Sequence, residues 1–204
     1  MKINTKSLVL MGVLTAILLV FLLTPIGTVP IGPLSVTLGI IPVALAAVAL
    51  GPIGGAVMGG IFGILSFLQC FGIGVPSGMG AILVGIDPFL AFVQRFVPRM
   101  LDGLLLGFIF NGVNKATNSD IAGSVTGFCA AFLNTVFFMG ALVLLFGNTE
   151  YVQGLMGGKN VIAFIVGFVG LNAVCEMVVS TVVVGAVTAA LTRAKLISVR
   201  TKEA

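Results

Sequence analysis

The stretch "QRFVPRMLDG" carries Arg95, Arg99 and Asp102 in a chain of which only 8% is charged. Their spacing of i, i+4 and i+7 puts all three on one face of a helix. Each such charge costs about 2.5–3.5 kcal/mol to insert into hydrocarbon, so the stripe needs partners or a wet cavity. Other apolar stretches offer polar groups to meet it: Asn172 and Glu176 at i, i+4, Asn134 with Thr135, and Gln69. At 1.5 Å per residue from the outer ends of their helices, Arg99, Asn134 and Asn172 all lie about 17 Å deep. Arg95 lies nearer the outside, and Asp102 and Glu176 slightly deeper. The expected layout is a cavity open to the outside and floored by acids paired with Arg99, in which an arginine meets a ligand carboxylate. The structural alternative is an Arg–acid pair that ties helices together, or Arg99 paired with Asp102 within its own helix.

What must position these groups follows from composition. With 59% hydrophobic residues and a mean hydropathy of +1.27, the 204 residues have too few polar groups to cover a water-soluble globule. The chain is read as a single all-α integral membrane domain, residues 1–204, with six transmembrane helices. A span needs roughly 17–25 residues. The expected spans are 7–23, 34–50, 53–70, 88–110, 121–146 and 160–192, with a break at the "GP" of 51–52 and a kink or tilt at Pro42. The runs are continuous rather than alternating, which argues against a β-barrel.

The net charge of +4 reflects topology rather than a nucleic-acid partner. With six spans, Lys2, Lys6, Lys115, Arg193, Lys195, Arg200 and Lys202 fall on one side and only Lys159 on the other, so both termini are expected in the cytoplasm. The apolar run after Lys6 lacks the small-residue cleavage site of a signal peptide. The external segments are then 24–33, 71–87 and 147–159. The first two, rich in Gly and Pro and nearly uncharged, read as ordered turns or lids, or as short connectors on the membrane surface.

Enzymatic motifs are missing. The chain has no His, no HExxH, no GxSxG and no P-loop, so neither a cofactor nor a metal site is expected. Cys70, Cys129 and Cys175 sit in or beside apolar spans, where packing explains them. Gly51, Gly55, Gly59 and Gly63 repeat every four residues, as do Gly12 and Ala16 on the first helix. Such stripes let helix backbones approach closely.

The ordered segments "TPIGTVPIGPLSVTLGIIPVALAAVALGPIGGAVMGGIFGILSF", "FVPRMLDGLLLGFIF", "LNTVFFMGALVLLF" and "LNAVCEMVVSTVV" resemble the substrate-binding S components of energy-coupling factor (ECF) vitamin transporters. The resemblance extends over about residues 8–191 and is nearest to the pantothenate-type members. It implies a bacterial cell-membrane protein that captures a vitamin at the outer side under its first and third loops. It also implies association with a membrane scaffold subunit and two ATP-binding subunits. The family's small-xxx-small contact with the scaffold would map onto Gly12 and Ala16, although the first position here is Gly where Ala is common. Together these readings give a capture subunit without enzymatic activity, its ligand met by Arg95, Arg99, Asn134, Asn172, Glu176, Gln69 and Asp102. Pantothenate suits those groups, and folate or riboflavin are the alternatives within the family. Outside it stand an autonomous secondary transporter of a small organic anion, with Asp102 and Glu176 as proton or sodium sites, and a purely structural scaffold.

Overall fold

The computed structural model describes residues 5–31 and 34–194. Of the cations used to orient the chain, Lys2, Lys195, Arg200 and Lys202 lie outside the described residues. The elements in chain order are α1 (Thr5–Leu23), β1 (Thr28–Ile31), β2 (Leu34–Thr37), α2 (Ile40–Leu68), α3 (Gly78–Ile86), α4 (Pro88–Ala116), α5 (Ser119–Phe146), α6 (Glu150–Met156) and α7 (Val161–Arg193). Among the described residues five helical segments are long and apolar enough to cross a membrane, with Ile40–Phe71 counted as one, or six if Glu150–Met156 and Val161–Gly170, bent by 77°, form one broken span.

That long segment corresponds to the second and third expected spans. Gly51 breaks it at φ 77° and ψ −170°, a conformation open essentially only to glycine. The two arms fold back on each other. A Cβ on Gly55 would lie 2.8 Å from that of Ala47, and one on Gly39 would lie 3.0 Å from the Phe62 ring. In a straight helix residues 39 and 62 would be about 35 Å apart. The expected break at 51–52 is therefore where the chain turns. Pro42 makes no kink, because it falls in the first turn of α2, where its missing N–H would have had no helical partner.

Residues 34–37 depart from the expected helix. They form β2, paired antiparallel with β1 in the register Thr28↔Thr37 to Ile31↔Leu34. The β-branched Val36 and Thr37 favour the extended chain, and prolines at 30 and 33 bar a helix there. The remaining helix boundaries follow capping chemistry. The Asp87 carboxylate accepts from the N–H groups of Phe89 and Leu90 ahead of Pro88, and Asn118 and Asn160 cap α5 and α7 in the same way.

The first arm of α2, Ala-rich and apolar all round, is buried from Ile40 to Val48 and forms the bundle centre with Leu14, Leu18, Phe62 and Leu106. The second arm presents the expected glycine stripe to α4. Cβ atoms at Gly55 and Gly59 would collide with the backbone carbonyls of Gly103 and Arg99, and one at Gly63 would lie 2.7 Å from the Phe96 Cα. The two backbones thus touch along the stretch of α4 that bears the charges.

Candidate functional site

A cavity of about 200 Å³ lies at the hairpin end of the bundle. Its walls come from α2, α4, α5 and α7, and it is bounded by Thr37 of β2 and by residues 75–79 around the start of α3. Both flanking segments are anchored. The Leu38 N–H donates to the Gly27 carbonyl (2.9 Å) and the Val75 N–H to the Leu22 carbonyl (3.3 Å). Gln69 ties the second segment to α1 by donating from Nε2 to the Leu22 carbonyl (3.0 Å). Of the two readings open for these Gly- and Pro-rich segments, turns tied to the bundle and simple connectors, these bonds favour the first.

Six of the seven expected site residues line this cavity: Arg95, Arg99, Gln69, Asn134, Asn172 and Glu176. All six are buried. Arg95 donates from Nη1 to the Ser66 hydroxyl (3.3 Å) and from Nη2 to the Ser77 hydroxyl (3.1 Å). Arg99 donates from Nη1 to the Arg95 carbonyl (3.1 Å). Its guanidinium sits between two rings, 4.3 Å from the Phe62 centroid and 4.9 Å from that of Phe138, and Arg95 lies 5.0 Å from Phe138. Each desolvated cation–ring contact contributes up to about 2 kcal/mol. Both Nε groups and the Asn134 Oδ1 are buried without a partner among the described residues.

Glu176 is held differently. Its Oε1 accepts the backbone N–H of Thr37 at 2.7 Å, so α7 grips the end of the β-hairpin through this carboxylate.

Asp102 is the exception. It is fully buried, lies off the cavity, and neither carboxylate oxygen has a hydrogen-bond partner among the described residues. The expected pairing of acids with Arg99 is also not formed, since no ion pair within 4.0 Å joins Arg99 to Asp102 or Glu176. The cause is side-chain direction. Helical side chains lean toward the helix N-terminus, here the cavity end, and this carries the long Arg99 guanidinium up to the Arg95 carbonyl and away from Asp102.

Sequence reasoning missed Ser66, Ser77, Thr37, Phe62 and Phe138. Ser77 carried a signal, because its place before "GMGAILVGI" is that of an N-cap, and its hydroxyl accepts from the Gly80 N–H (3.2 Å) as well as from Arg95. Four other phenylalanines, Phe67, Phe71, Phe89 and Phe92, do not line the cavity. Phe67 packs edge-on against Phe71 and Phe92, and Phe89 is 71% exposed. On α1, Gly12 and Ala16 are both exposed, with nothing within 4 Å of the position a Gly12 Cβ would take.

A multi-helix bundle with a small polar cavity, flanked by loop segments and lined by two guanidiniums and a carboxylate, is the architecture of a membrane protein with room for a small solute. The family model of the ECF transporter substrate-specific component matches residues 6–188, and the chain belongs to that family. It is 31% identical to "Pantothenate transporter PanT" of Leuconostoc mesenteroides, over 90% of this chain and 91% of that one. It is 26% identical to "Pantothenic acid transporter PanT" of Lactococcus lactis, over 80% and 81%. It is a multi-pass bacterial membrane protein of a vitamin-transporter family.

Proposed function

We propose that this single domain is the capture subunit of an ECF importer. It takes up pantothenate at the outer face and delivers it with a scaffold subunit and two ATP-binding subunits, and it has no enzymatic activity of its own. The observation that carries the reading is the pair Arg95 and Arg99, two buried cations on one cavity with no carboxylate within ion-pairing distance among the described residues. A ligand carboxylate meets the Arg95 and Arg99 guanidiniums, and the ligand's amide and hydroxyls meet Asn134 and Asn172. Size supports the choice. About 200 Å³ falls below the roughly 300–1,000 Å³ of drug-sized pockets, which favours a small vitamin over folate or riboflavin. Gly12 and Ala16 are offered as the contact with the scaffold subunit, since both are exposed on α1.

Isothermal titration of the purified chain with pantothenate tests the ligand, and absence of binding overturns it. In liposomes the chain alone should bind without concentrating the vitamin, and uptake should need scaffold, ATPases and ATP. Uptake by the chain alone on a proton or sodium gradient would establish the secondary transporter instead. Both termini are placed in the cytoplasm by the cation bias. In a Cys-free background, a cysteine at position 28 or 78 should label from outside and one at 118 only from inside. Outside labelling at 118 reverses the orientation.

A further inference from the structure

The cavity has two poles. Arg95 is tied to the α3 side through Ser77, while Glu176 is tied to the β-hairpin through Thr37. Arg99 lines the same cavity and donates to the Arg95 carbonyl. Asp102 is outside the cavity wall. The ionisable side chains that face the space are therefore two guanidiniums and one carboxylate, and a single ligand anion balances them. A carboxylate that is 8% exposed, accepts a backbone N–H and forms no ion pair with a lysine or arginine among the described residues repels any further anion brought beside it. Between largely buried groups such repulsion is screened less than at the surface.

We infer that Glu176 is the specificity-determining residue of this site. It accepts a hydroxyl or amide hydrogen from the neutral end of the ligand and excludes ligands bearing a second negative charge there. This rests on the proposed binding of pantothenate, whose carboxylate occupies the Arg95 pole and whose hydroxyl end then reaches Glu176. The compound excluded is the phosphate monoester of the vitamin's primary hydroxyl, which differs from the free vitamin only at that end. A capture subunit built in this way takes the free alcohol and leaves the phosphorylated form unbound.

The test is a titration series with three ligands: pantothenate, its phosphate monoester, and an uncharged ether of similar bulk at the same hydroxyl. Wild-type protein should prefer pantothenate over the phosphate ester by on the order of 100-fold or more, and should bind the neutral ether at least about tenfold better than the ester. In Glu176→Gln, which keeps an oxygen for the Thr37 N–H, the ratio of pantothenate to ester affinity should shrink by about tenfold or more. The inference is overturned if the ester and the neutral ether are rejected alike, because size alone then decides. It is equally overturned if the ratio is the same in wild type and Glu176→Gln. Should Glu176→Gln fail to fold, the wild-type comparison of ester with ether decides by itself. Failure of wild type to bind pantothenate at all removes the underlying function and this inference with it. Binding of pantothenate without discrimination against the ester removes only the inference.

Discussion

Two neighbouring turns of α4 share one wall and differ in the other. The turn of Arg95 and Arg99 and the turn of Asp102 and Gly103 both press backbone to backbone against the glycine arm of α2. On their far side the arginines open onto the cavity, whereas Asp102 is enclosed with both oxygens unpartnered. The three charges form one stripe by helical spacing, yet access divides them. An intramembrane charge becomes a ligand-binding group where its side chain can reach a cavity, and that depends on its length and direction as much as on its position.

The strongest way to break the comparison is to remove the shared wall. Gly59→Leu drives a side chain into the Arg99 carbonyl, and we expect a loss of about 3 kcal/mol or more, seen as little folded protein in a detergent melt. Gly12→Leu, on an exposed surface with open space, should melt like wild type. A normal melt for Gly59→Leu would mean that the seam yields and does not position the arginines.

Next in size is the cavity turn itself. Arg95→Ala should lose roughly 2–5 kcal/mol of pantothenate binding, the range for truncating one partner of a buried charge pair, with much less effect on thermal stability. An amide analogue of the vitamin should bind wild type weakly and be hardly weakened further by Arg95→Ala. Full additivity of the two losses would remove Arg95 from the carboxylate. Arg99 has no acidic partner to strand, so Arg99→Ala should likewise harm binding more than stability.

The smallest effect is expected at the enclosed turn. Asp102→Asn should leave pantothenate affinity within about 0.5 kcal/mol, and should leave stability unchanged or raise it by up to about 1 kcal/mol, since it replaces a buried carboxylate that lacks hydrogen-bond partners. A tenfold loss of affinity would show that Asp102 acts on the ligand through Arg99, and the division between the two turns would fail.

Much of this was legible in periodicity. The stripe of Arg95 and Arg99, the i, i+4 pair Asn172 and Glu176, and the four-residue glycine repeat each follow from 3.6 residues per turn, and the structure brings them together as that geometry requires. The strand at 34–37 was hidden because "LSVTL" continues an apolar run, and only its β-branched residues and flanking prolines distinguish it from helix. Ser66 and Phe138 were beyond reach for another reason: a residue that meets Arg95 from a different helix carries no local pattern, and its role depends on how the helices rotate against each other. Asp102 lies off the cavity although it shares the stripe, because residue spacing gives a face and says nothing about where a flexible side chain ends.

The break at Gly51 also bears on how the chain reaches the bilayer. Residues 40–50 are too few to be retained as a span on their own, since about 16 Å of helix falls short of the hydrocarbon thickness of about 30 Å. The arm before the turn therefore depends on the arm after it, which packs against it from Gly55 onward. The two arms pack on each other as a hairpin, and the first arm alone is too short to cross the hydrocarbon. A span across this region is complete only with both arms present, and the break at Gly51 imposes that requirement.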